Sequence, residues 1–444
     1  MSGAPKPMTV PGLTDSAGID DIVGAIGILT EQPTPRGNER ATAKALASWA
    51  GRRWPELQFR VDEIGPTGAN LVCSTAQPTA DDLLFYSHLD TSLTGLGSRD
   101  RSVTGRWQDA RTGYTVRHDT ISAFGLAVAR GPAAAALVGF ASAAVSSDGV
   151  ASPPLRLVLA GGGTHENTLR ESDAVETLYC GIESHLEQYP TPAAALVAKA
   201  GPRGVLWDEP GAGYLRIRVG GRRGAVLARD AADPSGGLPA HVGAMCAAVE
   251  TWRSRFTAVP RHQRDSSGPG TATLGRQAGR EAGIGAIRAG STRKPDLLPA
   301  FVDLFVYLVL LPEERLVDVA DDLNTHLRTA FAGGPLSRCT VEVELAAPQD
   351  AGTTSPLEPF VRSATQIWER HHGGPVPELS GWTGSTDGAL LRAAALHTIR
   401  TGPANVTVND EPEWDSLSLT ELLRFARIYA DIGAGWIARK KRGK

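Results

Sequence analysis

Up to about residue 205, short apolar runs alternate with amphipathic helical stretches, which restricts the chain to an α/β layer on a largely parallel sheet. "GIDDIVGAIGILTEQ" carries apolar residues at helical spacing with acids near its start. "TPRGNERATAKALASWAGRRW" reads as a turn and a second amphipathic helix, and "LQFRVDEI", "ANLVCST" and "LLFYSHLDTSL" as strands. "RGPAAAALVGFASAAV" reads as a helix, "LRLVLAGGG" as a buried strand ending in glycines, "DAVETLYCGIESHLEQ" as a helix, and "AAALVAKA" as a short apolar run.

The pattern then changes. "GYLRIRVGG" alternates like a half-exposed strand, and the helix "PAHVGAMCAAVETWRSRF" follows. After a Gly/Ser/Arg-rich stretch come the strands "GIGAIRAG" and "FVDLFVYLVLL", the helix "EERLVDVADDLNTHLRTAF" and the strand "CTVEVELAAP". That β-α-β-β-α-β order is a ferredoxin-like module. It is inserted into the α/β domain, which resumes with the helix "PLEPFVRSATQIWERHH", the strand "LHTIRTGPA" and the closing helix "LSLTELLRFARIYADIGAGWI". The expected division is an α/β domain over 1–207 and 349–444, with the inserted module over 208–348.

The 444 residues are 41% hydrophobic, enough for one large core or two domains. A formal charge of -3 gives no reason to expect nucleic acid or a membrane surface as partner. Cys73, Cys180, Cys246 and Cys339 form no CxxC or Cys/His cluster, the usage of a reducing compartment. With no apolar h-region at the N-terminus, a cytoplasmic location is the expectation. The longest apolar run picked out, "FVDLFVYLVLLP", has strand length and falls short of a membrane span.

His88 and Asp90 close the apolar strand "LLFYSHLDTSL", an arrangement by which several metallohydrolases hold their first metal ligand. "GGGTHENT" follows a strand at the end where α/β sheets place ligands. Its glycines would let the backbone approach a ligand, and Thr164, His165 and Glu166 offer a nucleophile, a base and an acid; the bland alternative is a loop with capping residues. Asp387, at the end of "GSTD", has the position of a helix cap. His371 and His372 read as solvent-exposed, and the remaining histidines have no partners at metal-binding spacing.

In order and spacing, "LTEQPTPRGNERATAKALASWA", "LLFYSHLDT", "GAIRAGSTRKPDLLPAFVDLFVYLVLLP" and "GWTGSTDGALLRAAALHTIRTGPA" together resemble the M20 family of zinc peptidases and amino-acid deacylases, over about residues 20 to 435. The resemblance implies an α/β catalytic domain with an inserted ferredoxin-like lid, and leaves open a homodimer through that lid. It also implies two zinc ions held by His, Asp and Glu, with a glutamate base. Matched motif by motif, His88 falls on the first histidine ligand and Asp90 on its orienting carboxylate. Val128 falls on the bridging aspartate, Gly163 and Thr164 on the base–ligand glutamate pair (His165 and Glu166 after a two-residue shift), Lys199 on the next carboxylate, and Asn409, ahead of Glu413, on the last histidine. The lid histidine of the family has no counterpart in "VGGRRGAVLARD". Ser385, Thr386 and Asp387 match the segment lining the substrate side of the cleft.

Zinc needs converging deprotonated ligands, and valine, threonine and lysine replace most of them. The reading that follows is a divergent M20-like amidohydrolase without a metal cofactor. It would act on an amide or acyl group of a small amino-acid-like substrate, by hydrolysis, acyl transfer or cyclisation. His88 and Asp90 would be the acid/base pair, Lys199 an electrostatic group able to pair with Asp90, and Thr164, His165 and Glu166 further catalytic groups. Ser385, Thr386, Asp387 and Asn409 would contact substrate. Two alternatives stand beside it: a pseudoenzyme that only binds a ligand or partner, and a zinc hydrolase with atypical ligands.

Overall fold

A computed structural model describes residues 16–145, 154–167, 169, 179–222, 224–225, 233–258, 280–312, 314–377, 384–404 and 414–442. Its centre is a six-stranded sheet ordered Phe59–Ile64, Gly68–Ser74, Leu155–Ala160, Leu83–His88, Ala194–Ala198, His397–Thr401. The last four strands of that order run parallel, and the first two are antiparallel to their neighbours. All six residues of Leu83–His88 are buried because this strand lies mid-sheet with both faces covered, which is why its sequence is nearly continuous in apolar residues.

Alternation along the strand divides those faces. Leu83 and Phe85 enter the larger core, with Ile22, Ile26, Leu46, Phe140, Phe425 and Tyr429 from the surrounding helices. Leu84 and Tyr86 enter a smaller core with Val158, Val197, Ile182 and Leu391. Ile182 belongs to helix Gly181–Gln188 and Leu391 to helix Gly388–Ala393. Of the helix expected over 173–188, Gly181–Gln188 is described, and 170–178 lie outside the described residues.

The inserted module has the expected strand order. A four-stranded antiparallel sheet runs Glu281–Ala289, Phe301–Leu310, Gly211–Gly220, Thr340–Gln349, that is second, third, first, fourth. Helices Val242–Ala258 and Leu316–Phe331 cover one face through Met245, Val249, Trp252, Leu323 and Leu327, packed on Leu215, Ile217 and Leu304. The Trp252 indole donates to Asp322 Oδ2 at 2.7 Å.

Three features depart from the sequence reading. Tyr114–Arg117, Thr120–Phe124 and Trp414–Ser418 form a third sheet and Gly97–Thr104 a short helix; no element was expected there except at Leu417 and Ser418, which open the expected closing helix but end the strand, the helix beginning at Leu419. They are short and polar, so they carry little periodicity. Among the described residues Leu126–Val145, and not "FVDLFVYLVLLP", is long and apolar enough to cross a membrane, but 83% of that window is buried inside the fold. Of the paired histidines expected to be exposed, His372 is largely covered and stacks on Trp368 at 3.7 Å, while His371 stays partly exposed with Nε2 2.8 Å from Asp431 at the surface.

Glycine spacing lets helix Gly131–Val145 lie against Leu419–Arg442. A Cβ on Gly139 would sit 2.6 Å from the Ala426 carbonyl oxygen and 2.7 Å from Tyr429 Cβ. Gly139→Ala is therefore expected to cost about 1–3 kcal/mol in urea denaturation. Gly243→Ala, on a helix with open space around it, should cost nothing and gain about 0.5 kcal/mol. Equal effects at the two positions would contradict this packing.

Candidate functional site

Three of the four parallel strands hand the chain, at one edge of the sheet, to residues singled out above: His88, the Gly161–Thr164 loop, and Lys199. His88 pairs in register with Ala160, and Tyr86 with Val197. The paired ladder ends there; continued two residues past it, the same register would bring Lys199, which directly follows strand Ala194–Ala198, beside His88. Alternation puts both on the Tyr86–Val197 face.

His88 is 2% exposed and Asp90 fully buried. His88 Nδ1 lies 3.0 Å from the Asp90 carbonyl oxygen and 3.3 Å from Asp90 Oδ1. Both are acceptors, so the ring proton belongs on Nδ1 and the Nε2 lone pair is left over. Nε2 is buried with no hydrogen-bond partner among the described residues. Asp90 Oδ1 accepts the Gly163 N–H at 2.8 Å and Oδ2 the Thr164 N–H at 2.7 Å. Burial alone would push Asp90 up, but His88 and the Thr164 contacts outweigh it and hold the carboxyl well below its usual range.

The glycines of "GGGTHENT" serve this arrangement instead of a ligand. Four successive amides each meet a side-chain acceptor: Gly161 on Asn70 Oδ1 (3.0 Å), Gly162 on Glu39 Oε1 (3.0 Å), then Gly163 and Thr164 on Asp90. Gly162 has φ +66°, and a Cβ on Gly163 would fall 2.5 Å from His88 Cβ. The loop is glycine because protein atoms, His88 among them, occupy the space a side chain would need. Arg36 donates to the Thr164 carbonyl oxygen, and the Thr164 hydroxyl is buried near Asp90 without an aligned hydrogen bond.

His165 and Glu166 turn towards the inserted module. The His165 ring stacks on Tyr214 at 4.8 Å, and the Tyr214 hydroxyl donates to the His165 carbonyl oxygen at 3.2 Å. Burial, then the charge of Glu166, pushes the Tyr214 hydroxyl up.

Asp387 does not cap its helix through its side chain. Its Oδ2 accepts the Tyr86 hydroxyl, and burial raises its pKa against the opposing charges of His88 and Lys199. The local turn is made by Thr386, whose Oγ1 accepts the Gly388 N–H at 3.1 Å and donates to Glu209. Ser385 Oγ is buried without a partner among the described residues. Glu209 is also held by Arg392 (2.6 Å) and Arg400 (3.5 Å). Lys199 forms no ion pair with Asp90 among the described residues, contrary to the pairing expected. Burial, and then Arg400, lowers its pKa, while Asp387, Glu209 and Asp90 oppose the shift.

Asn409 and Glu413 lie outside the described residues. Val128 sits in Leu126–Arg130, where the Val128–Ala129 peptide is cis, and its carbonyl oxygen lies near Gly125, itself packed on Thr91. A valine, an ammonium and a hydroxyl at these positions do not supply the donors of a dinuclear zinc centre. Among the described residues no three His, Cys, Asp or Glu side chains converge as a metal group. A cavity of about 260 Å³ beside Leu93, Arg106, Arg111 and Trp414 lies in the loop after Asp90. Its Asp100 and Asp109 are already bonded to backbone amides of Thr94, Gly95 and Gly97.

Glu39 is the site residue that sequence reasoning missed. It precedes helix Arg40–Arg53, where a carboxylate is commonplace, and nothing in the sequence marks its contact with a loop 123 residues away. It is fully buried, accepts the Gly37 and Gly162 amides on Oε1, and leaves Oε2 without a hydrogen-bond partner among the described residues. Burial and the Asp90 charge raise its pKa from 4.5 to about 7.

The chain matches no protein-family model and no curated protein by sequence. Solved structures match over nearly the whole chain. Aminopeptidase PepT from Bacillus cereus is 14% identical at TM-score 0.61, covering 95% of this chain and 99% of that one. The M20 family metallo-carboxypeptidase Sso-CP2 from Sulfolobus solfataricus is 12% identical at TM-score 0.64, covering 94% and 99%. Human carnosine dipeptidase 1 is 13% identical at TM-score 0.62, covering 95% and 96%. The fold is that of the M20 peptidases, inserted module included.

Because folded Glu39 keeps its proton to a higher pH than the unfolded chain, wild-type stability should fall as pH rises from 4.5 towards about 7. The loss amounts to at most about 3 kcal/mol. Glu39→Gln should remove it, so that its melting temperature gains on wild type across that window. Parallel pH profiles would contradict the assignment.

Proposed function

We propose that this chain is an M20-type amidohydrolase homologue that cleaves an amide or acyl bond of a small amino-acid-like substrate, using His88 and Asp90 without a dinuclear metal. The observation carrying this reading is the His88 imidazole, oriented at Nδ1 by Asp90, with Nε2 buried and unpartnered. A histidine so held is a competent general base. The fold supports the amidohydrolase class, and the donor set around His88 argues against zinc as its activator.

In the hydrolytic direction His88 Nε2 takes a proton from water as the water oxygen bonds to the substrate carbonyl carbon. The carbonyl π pair moves onto oxygen, which becomes the oxyanion. Asp90 stabilises the imidazolium that forms. When the oxyanion collapses, the C–N bond breaks, and His88 returns its proton to the departing amine. Lys199 supplies positive charge on the same face, and Ser385, Thr386 and Asp387 stand on the substrate side of the cleft. If a substrate amine attacks in place of water, the same sequence gives acyl transfer or cyclisation.

A panel of N-acyl amino acids and dipeptides tests the reading. Turnover should survive chelator, and His88→Ala should lower kcat by about 10²–10⁴-fold. Asp90→Asn should lower it too, by mis-setting the ring. Activity abolished by chelator and restored by zinc would select the metal-dependent alternative. Undiminished turnover in His88→Ala would remove the dyad from the mechanism.

A further inference from the structure

We propose that Lys199 is the oxyanion-binding group of this site, and that the ligand it takes is a tetrahedral oxyanion generated at the substrate carbonyl carbon. This rests on the hydrolytic reading above and assigns a specific chemistry to one residue within it.

Lys199 directly follows strand Ala194–Ala198, where the register continued past the ladder would bring it beside His88 on the same face, and adjacent strands lie only about 4.8 Å apart. The Lys199 charge is felt by Asp90 and Asp387, the two carboxylates that also flank His88, so a carbonyl attacked with the help of His88 would develop its charge in the field of Lys199. A substrate carboxylate, set off from the scissile carbonyl by further bonds, would be expected away from the base, not beside it.

Charge accounting supports the same assignment. Each carboxylate within electrostatic reach of Lys199 is held by other groups. Asp90 has His88 and two backbone amides, Asp387 has the Tyr86 hydroxyl, and Glu209 has Arg392, Arg400 and Thr386. Lys199 makes no ion pair of its own among the described residues, yet it keeps some accessible surface at the strand end. A largely buried cation without a direct counter-charge stabilises an anion more strongly than it would in water. Because the strand fixes its backbone, little reorganisation is needed when the charge appears.

The test needs no turnover. Purified full-length protein is treated with an amine-acylating reagent, and the modification rate at Lys199 is followed by peptide mass spectrometry. Inorganic phosphate serves as the tetrahedral probe and acetate as the planar one. Phosphate at saturation should slow Lys199 modification by about tenfold, and acetate by less than about twofold, the contrast expected of a site shaped for a tetrahedral anion. His88→Ala should keep the phosphate protection while losing hydrolysis, which separates this claim from the proposed function. In Lys199→Met, calorimetry should show phosphate binding lost, with circular dichroism confirming the fold; the wild-type protection stands even if that variant does not fold. Protection by acetate equal to or greater than that by phosphate would reassign Lys199 to a substrate carboxylate. No protection by either would remove the anion site.

Discussion

The Asp90 carboxylate is the point on which the site depends. It is fully buried, yet its pKa lies below the ordinary range because the His88 charge and hydrogen bond, then the Thr164 contacts, outweigh the desolvation; the Gly163 amide meets its other oxygen. The same three contacts define the neighbourhood. They fix the imidazole, they wrap the glycine loop around the end of the sheet, and they bring Thr164 within reach of Arg36. Glu39 holds the far side of that loop through Gly162, so two carboxylates of opposite tendency grip successive amides. Asp90 is pulled below its ordinary range and Glu39 pushed to about 7.

Much of this was legible in the sequence where a physical period carried it. The buried strand ending in His88 and Asp90, the β-α-β-β-α-β insertion and the closing helix all follow from spacing, and the structure has them. The elements between 97 and 124 escaped notice because short, half-polar strands leave no distinctive pattern. Contacts between distant residues escaped for a different reason. Glu39 on Gly162 and Tyr86 on Asp387 join segments 123 and 301 residues apart, and no local pattern encodes such pairs. The triple glycine signals close approach, and the structure shows protein groups there: Ala69 and Glu39 at Gly161, Tyr179 at Gly162 and His88 at Gly163.

Charge balance explains why the edge of the sheet has its present composition. A dinuclear centre gathers carboxylates whose mutual repulsion only cations relieve. Here the buried acids are relieved by protein groups: amides and imidazole for Asp90, a phenol for Asp387, guanidinium groups for Glu209. Lys199 stands where the family resemblance places a metal ligand, and an ammonium there adds positive charge to the cleft without any bound ion. His165 and Tyr214 tie the end of the Gly161–Thr164 loop to the inserted module, so a movement of that module would be felt one residue from Thr164.

The central claim is that His88 is oriented by protein alone and works without zinc. Elemental analysis of active full-length protein, purified without chelator and compared with its measured turnover, tests it most directly. The account predicts far less than one zinc per chain, below about 0.1, in fully active protein, because the donor set lacks the converging ligands zinc requires. About two zinc per chain, rising and falling with activity, would contradict it.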